Sequence, residues 1–424
     1  MKIVFYSTNS NCFNKDTFII KVKPDNQTRF ENFCQKYPEH SFYCVSQGPA
    51  LFMPEKSVIL VQEDAGIEEF AKKVLSFQPD IAIAMTFWVS PYDWLTVNDA
   101  LVAEKLEKEG VKTFCHSVEA GLTCFDKWKT HQFMELQGVN VPSALFIDHD
   151  LYFCAGSHKE VIDNVYKNSI RSQLEKLNLP IIIKDSAGLS SYGMTVVHSY
   201  GEAEGYLNSK RNNSNRIVEE YIRGQQFGLE IYGVPGNYTV FPLFNFSLNQ
   251  YGITSPKQSA KYGPFPLDDE LKNSVLLLAE KLELRGCAQF DLIKSQEKWY
   301  VIEINPRLSG MTFTSSVLCG KTVFEILYLT CIENQNIQIC GTQRILNLKL
   351  PLLEESEMNE ILNIPGVMLL NQTNDLAAKQ EREKGFCECI IKRNTLEEIQ
   401  ETLFILKNRF PFEATILQSE TILK

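Results

Sequence analysis

The sequence predicts an α/β fold in three units, 1–120, 121–340 and 341–424, and three observations carry that expectation. Over the first third, short β-rich runs alternate with helical stretches, as in a parallel sheet with helices on its faces. The middle unit closes on two apolar runs set as a hairpin, Ala288 to Asn305. Beyond about residue 340 a strand, 385–391, and a capped helix describe a small α/β tail.

In the first unit Ile3–Tyr6, Val58–Val61 and Ile81–Met85 read as strands, and Ile67–Phe77 and Asp99–Glu109 as helices, the second stopped by Gly110. In the middle unit Asp126 is the expected N-cap of a helix, Lys127–Gln137, that Gly138 ends. Strands follow at Ala144–Ile147, Pro180–Lys184, Arg216–Ile222 and Leu229–Tyr232. Residues 149–178 are polar with some helical periodicity and read as a peripheral excursion. Residues 245–266, rich in Asn, Gln, Ser, Gly and Pro, read as a mobile loop. A helix, Asp269–Leu284, precedes the hairpin. In the tail, Thr395-Leu396-Glu397-Glu398 is a capping box opening a helix to Leu406.

Composition narrows the function. Of 424 residues, 44% are hydrophobic and 22% charged, the balance of a chain with ample core. A net charge of −10 argues against broad nucleic-acid binding, which needs a basic face, but leaves room for small anions held by a few lysines. The twelve cysteines are scattered and include no C-x-x-C pair, so reduced, mostly buried thiols are expected. Met1 to Tyr6 enters a strand-like run at once, without a signal-peptide layout, and no apolar run is long enough to span a bilayer. The expectation is a soluble cytoplasmic protein with small-molecule partners and neither nucleic acid nor membrane among them; a homodimer is the default assembly.

The hairpin constrains the chemistry most. Strand alternation puts Val301, Glu303 and Asn305 on one face and turns Ile302 and Ile304 to the other, which reads as core. A register setting Asp291 opposite Glu303 also sets Gln289 opposite Asn305 and Ile293 opposite Val301, with an odd-length turn around 296–298. Two carboxylates and two amides then share one surface, with Arg307 just beyond. Opposed carboxylates repel and want a cation; hard oxygen donors suit Mg²⁺, which takes one or two carboxylates and completes its shell with nucleotide phosphates. Taken alone, the pair fits a solvated hairpin face equally well. In Lys184 to Met194 a lysine ends a buried strand and a Gly/Ser loop follows, offering N–H groups and hydroxyls to phosphate. A strand-end lysine facing such a loop is not expected in the core. The loop is not a Walker A motif, and Gly320-Lys321-Thr322 has Ser315 where the first glycine of one belongs.

In order, the chain shows Asp126-Lys127, Lys184 with its loop, Glu219-Glu220-Tyr221-Ile222, Lys261, then Asp291, Glu303 and Asn305. That series resembles the ATP-grasp superfamily over roughly residues 115–330. The 184–194 loop is most similar to that of D-alanine–D-alanine ligases. The hairpin, with Ile304-Asn305-Pro306-Arg307 after it, is most similar to that of biotin carboxylase and carbamoyl-phosphate synthetase. The resemblance implies a two-lobed α+β module for ATP and two Mg²⁺, with Mn²⁺ as a substitute. It implies that Lys127 and Lys184 hold the α- and β-phosphates, and that Gly188, Ser190 and Ser191 close over the β- and γ-phosphates. Glu219, Glu220 and Ile222 would line the adenine and Gln226 would meet the ribose. Asp291, Glu303 and Asn305 would bind the metals, and Lys261 and Arg307 would face the transferring phosphoryl group or the acyl-phosphate. Two positions depart from the pattern: Gln226 stands where an acid, sometimes a histidine, is common, and Gln289 where D-alanine–D-alanine ligases have arginine. The implied function is a ligase joining a carboxylate to an amine through an acyl-phosphate, on an amino acid or small peptide-like acid, with release of ADP and phosphate. A phosphotransferase use of the same site and a non-catalytic ATP-binding scaffold are the alternatives; the biotin carboxylase form lacks its run of glycines in 185–193.

Overall fold

Ile3-Val4-Phe5-Tyr6 is apolar on both faces, so a strand there needs cover on both sides, as the centre of a parallel sheet provides. A computed structural model describes residues 1–8, 18–47, 58–61, 65–87, 95–154, 163–187, 194–209, 214–248, 260–339, 342–373 and 386–423. In it β1 (Lys2–Ser7) is followed by β2 (Phe18–Val22), β3 (Ser41–Gln47), β4 (Val58–Val61), β5 (Ile81–Ala84) and β6 (Lys112–Phe114). All but β2 form a parallel sheet in the order β4-β3-β1-β5-β6, with β1 at its centre. Val4 and Tyr6 pack on the helices Ile67–Leu75 and Leu95–Lys108 through Phe70, Val74, Val102 and Leu106. Ile3 and Phe5 meet Phe30 and Phe33 from the helix Asn26–Lys36 on the other face. That helix and strands β2 and β3 were not legible in the sequence: the helix is mostly polar and stands on Phe30, Phe33 and an Asp25 cap that accepts from Thr28 N at 3.0 Å. The helix expected from Asp99 begins at Leu95.

A second, antiparallel sheet has the order β7-β10-β8-β9, from β7 (Ala144–Ile147), β8 (Ile181–Asp185), β9 (Thr195–Val197) and β10 (Arg216–Glu220). The expected excursion, 149–178, supplies its cover. Helices His149–Phe153 and Val165–Leu174 place Tyr152, Ile170 and Leu174 in the core of this lobe.

The third sheet comprises β11 (Gln225–Val234), β12 (Asn237–Val240), β13 (Leu243–Phe246), β14 (Ala260–Phe265), β15 (Gly286–Ser295), β16 (Lys298–Asn305), β17 (Arg344–Leu350), β18 (Val367–Thr373), β19 (Cys387–Arg393) and, from the first unit, β2. Its order is β16-β15-β11-β13-β14-β17-β19-β18-β2, with β12 paired to β11. The sheet therefore crosses residue 340 without a break: Lys261 of β14 pairs with Asn347 of β17. The expectation of a loop over 245–266 is corrected at both ends, since 245–246 and 260–265 are strand; 249–259 lies outside the described residues. Gly263 and Pro264 contribute to the loop-like composition, but the ladder to β17 ends at Gly263, so Pro264 gives up no ladder bond to that strand. In the tail Thr395 caps the helix Leu396–Arg409, accepting from Glu398 N at 3.2 Å, while the Glu398 carboxylate accepts from Asn394 N, one residue before the cap. The mixed α/β architecture, parallel first and antiparallel after, is the predicted class. Among the described residues the cysteines are free thiols, and no single helix is long and apolar enough to cross a membrane.

Candidate functional site

In the β15–β16 hairpin Gln289 pairs with Asn305 and Asp291 with Glu303, as the alternation predicts. Between Asp291 and Leu292 the register shifts, so Leu292 meets Val301 and Ile293 meets Tyr300, not Val301. The connection is a two-residue turn, Gln296-Glu297, with Gln296 at φ 54°. Two-residue turns match the twist of paired strands, and the bulge restores the parity that places the two acids opposite each other. Ile302 is the extra residue. Val301 accordingly joins Trp299 and Ile304 in the core, which corrects its assignment to the polar face.

The two acids differ in company. Burial and the opposing Glu303 carboxylate push the Asp291 carboxyl up to about 7, although the Gln289 amide donates to it at 2.5 Å. Burial also acts to raise Glu303, but Lys127, with Nζ 3.1 Å from Oε1, together with Lys184 and Arg307, holds that carboxyl below its ordinary value. Arg307 donates to Asn305 Oδ1 at 2.9 Å, and Asn305 reaches Gln289 Oε1 at 3.5 Å. The set offers two hard carboxylates and amide oxygens at one spot, and a like-charge pair of this kind is relieved by a divalent cation. Among the described residues no group of three or more His, Cys, Asp or Glu could hold a metal. The two carboxylates and the Asn305 amide oxygen fit a Mg²⁺ whose shell is completed by nucleotide phosphates and water.

Lys127 opens the helix Lys127–Leu136, whose cap Asp126 accepts from Trp128 N at 2.9 Å. The same carboxylate accepts from Ser186 Oγ at 2.5 Å, and Lys127 N donates to Ser186 O at 2.8 Å, so the helix start is tied to the end of β8. Lys184, on β8, is only 7% exposed and donates to the carboxylate of Glu219, itself 5% exposed, on neighbouring β10. The expectation that this lysine stands outside the core is overturned: cross-strand pairing with Glu219 makes it half of a buried ion pair. Its charge also helps to lower Glu303, so both lysines act on the hairpin acid. Glu220 spends its carboxylate on Asn178, accepting from N at 2.8 Å and Nδ2 at 2.9 Å. Ile222 lies half-buried just past β10, and Gln226 is half-buried on β11, paired with Phe246 and Ile293. Gly188, Ser190 and Ser191 lie outside the described residues.

Lys261 extends the polar surface along the sheet. It donates to Gly310 O at 2.6 Å, stands 3.7 Å from Glu388 Oε1, and its charge is felt at Asp291. Gly228, paired with Asp291, has to be glycine, because a Cβ there would lie 2.4 Å from the Phe246 ring and 2.8 Å from Met311 Sδ.

Three buried groups escaped the sequence reading. Glu230 is wholly buried and accepts from the hydroxyls of Tyr232, Ser309, Thr312 and Ser315 at 2.7–2.8 Å, which pins the segment after Arg307 to β11. The signal was an acid inside an apolar strand together with hydroxyls spaced three apart at 309, 312 and 315. His116 accepts from Arg285 N at Nδ1 (3.1 Å) and donates from Nε2 to Cys287 O (2.8 Å), which fixes its neutral tautomer; burial pushes its pKa down to about 4. It is a strut between the first unit and β15, not an acid–base group. His131, whose pKa is lowered by burial, stacks on Trp128 with Nδ1 3.9 Å from Glu219.

Comparison with known proteins follows the same lines. The ATP-grasp domain model matches residues 124–311. Over 161 residues the chain is 26% identical to the carbamoyl phosphate synthase large chain of Clostridium perfringens, covering 36% of this chain and 15% of that one. Over 257 residues it is 24% identical to a D-alanine–D-alanine ligase of Fervidobacterium nodosum, covering 54% and 74%. The chain thus spans a small part, 15%, of the synthase chains it matches. Its fold is shared with an L-amino acid ligase from Bacillus licheniformis (TM-score 0.65, 15% identity, 96% of this chain and 97% of that chain). It is shared likewise with N5-carboxyaminoimidazole ribonucleotide synthetase from Thermus thermophilus (TM-score 0.63, 14% identity, 96% and 98%).

Proposed function

We propose, from the premise that residues 124–311 are an ATP-grasp domain, that this chain is an ATP-dependent carboxylate–amine ligase. The observation that carries the reading is the half-buried Asp291–Glu303 pair, with Lys127 in contact with Glu303 and the Lys184 charge felt there as well. Such a site neutralises a triphosphate while a second anion, the carboxylate substrate, approaches it.

Lys127 and Lys184 are assigned to the α- and β-phosphates, and Asp291, Glu303 and Asn305 to two Mg²⁺, for which Mn²⁺ can substitute. Glu219 orients Lys184. The backbone of 219–222 borders the adenine, with Gln226 towards the ribose, and Gly188, Ser190 and Ser191 belong to the closing loop. Lys261 and Arg307 face the transferring phosphoryl group. Bound Mg²⁺ screens and orients the terminal phosphates; the chain's own part is to hold both anions in line. The product nucleotide is ADP, with phosphate leaving when an amine attacks the acyl-phosphate. The L-amino acid ligase and D-alanine–D-alanine ligase likenesses favour an amino acid or small peptide-like acid as substrate.

The test is a screen of amino acids, singly and in pairs, for ADP release with Mg²⁺–ATP, with hydroxylamine present to trap acyl-phosphate as hydroxamate. Stoichiometric AMP would overturn the assignment. ADP formation accompanied by a stable phosphorylated product, with no dependence on an amine, would move the site to phosphotransfer.

A further inference from the structure

Buried polar side chains of this fold mostly find their partners within the chain. Glu230 has its four hydroxyls. Gln372 of β18 satisfies both ends of its amide, accepting from Leu353 N at 2.7 Å and donating to Leu353 O at 3.0 Å. Its neighbour Asn371 points to the other side of the sheet and departs from this pattern. It is 5% exposed, its Nδ2 donates to Glu388 Oε2 at 3.3 Å, and its Oδ1 has no hydrogen-bond partner. Turning the amide over does not help, because a carboxylate only accepts and must face the NH₂ group. A buried carbonyl without a donor loses its hydration for nothing, so the orphan calls for an explanation.

Its surroundings supply one. Asn371 and Glu388 are register partners on β18 and β19, and Lys349 stands across from Glu388 on β17, its Nζ 4.1 Å from the Phe386 ring. Glu388 is 4% exposed and faces Lys261 at 3.7 Å, too long for a hydrogen bond; the short bond of Lys261 goes to Gly310 O at 2.6 Å. Holding Lys261 thus requires no acceptor on Asn371. The opposite face of these strands, with Leu348, Leu370, Cys387, Cys389 and Ile391, already forms a closed apolar core, so the polar cluster is not needed to hold the sheet together.

We propose that the Glu388 carboxylate and Asn371 Oδ1 are the recognition site for the amine substrate, a primary amine whose N–H groups both acceptors receive. The inference rests on the ligase reading and deepens it. One side chain, Lys261, separates this subsite from the phosphoryl group. When the nucleotide draws Lys261 towards its phosphates, Glu388 Oε1 is released to the amine, so the amine binds after Mg²⁺–ATP.

Isothermal titration of the full chain in Mg²⁺–ADP tests this, using each of the twenty common amino acids and the N-acetyl form of any that bind. Binding is expected to weaken more than tenfold on N-acetylation, and at least tenfold in both Asn371→Leu and Glu388→Gln. Asn371→Leu keeps the branched shape, though not the volume, and removes both the orphan acceptor and the donor to Glu388; the folded variant should bind Mg²⁺–ATP within twofold of the wild type. The proposal is overturned if no amino acid binds, if the N-acetyl form binds equally, or if folded Asn371→Leu keeps full affinity. Amine-dependent binding that Asn371→Leu weakens, without amino-acid-dependent ADP release, would overturn the ligase reading and leave the subsite standing. ADP release with an amino-acid KM untouched by Asn371→Leu would do the reverse.

Discussion

A buried pair and a half-buried pair of charged side chains lie where the antiparallel sheets meet, and they are built on opposite terms. In the small lobe Lys184 and Glu219 neutralise each other across neighbouring strands. On the hairpin Asp291 and Glu303 repel each other across theirs, and Lys127 sides with only one of them. The first pair is complete without a ligand. The second raises a carboxyl to about 7 and is relieved only by a proton or a cation. The difference separates a part that holds the cleft's shape from a part that waits for charge. Folding stability and ligand affinity should respond to mutation in opposite ways at the two pairs.

The sharpest way to break the comparison is Lys184→Met. It leaves Glu219 buried and uncompensated, which should cost about 3–5 kcal/mol of nucleotide-free stability in denaturant unfolding and abolish measurable ATP binding. Adding Glu219→Leu should restore most of the stability and none of the binding. A single variant that unfolds like wild type would show that the pair does not hold this lobe.

At the other pair the loss should appear in turnover. Glu303→Gln keeps the shape but removes the charge that meets Lys127 and that would hold Mg²⁺; turnover at saturating Mg²⁺ should fall by about 10²–10³. Nucleotide-free unfolding should change little, because the repulsion from Asp291 and the ion pair with Lys127 are lost together. Turnover within tenfold of wild type would remove the hairpin from the metal site.

How much of this was legible depended on whether the signal was local. The hairpin acids could be paired from strand alternation alone, because a period of two leaves few choices of face. The bulge beside Asp291 could not, since it depends on how the 296–297 turn is accommodated; Val301 was therefore put on the wrong face. Lys184 was singled out as a candidate site residue and placed outside the core, because its partner is 35 residues away on a strand whose register no local pattern gives. β14 lay inside the 245–266 loop expectation, because Gly, Pro and polar residues there outweigh the short apolar stretch until the ladder to β17 is known. Glu388 stands as an acid flanked by Cys387 and Cys389 in an apolar strand, but its polar neighbours, Lys261 and Asn371, are brought to it only by the folded sheet.

A smaller effect sharpens the contrast through pH. The free aspartate carboxyl titrates near ~4, and in the fold Asp291 is raised to about 7. The folded state then binds this proton more tightly than the unfolded chain. The contribution to nucleotide-free stability is largest in acid, declines as pH rises through about 7, and is absent above it. Asp291→Asn should flatten that decline and stabilise the nucleotide-free protein at pH ~8 by about 1–2 kcal/mol, while turnover drops. Unfolding midpoints from pH 5 to 8, with and without Mg²⁺–ATP, check this. A wild-type midpoint indifferent to pH in the absence of nucleotide would mean the two acids are not coupled.

Gln289→Ala should have the smallest effect of the four, and it tests the hairpin geometry itself. Gln289 lies on the same face as Asp291, donates to it at 2.5 Å and accepts from Asn305 at 3.5 Å, but it carries no charge. Removing it leaves both carboxylates, Lys127 and Arg307 in place and takes away one hydrogen bond that lowers the Asp291 carboxyl. The cost should be that of a single neutral-to-charged bond, about 1.5–3 kcal/mol at most and less where water replaces the amide. Turnover should therefore stay well above that of Glu303→Gln, and the nucleotide-free protein should gain none of the stability expected of Asp291→Asn. Steady-state rates for Gln289→Ala, Asp291→Asn and Glu303→Gln at saturating Mg²⁺ give the order directly. If Gln289→Ala proved the most damaging of the three, the amide would be the group that meets the metal, and the charge asymmetry between the two pairs would no longer explain the site.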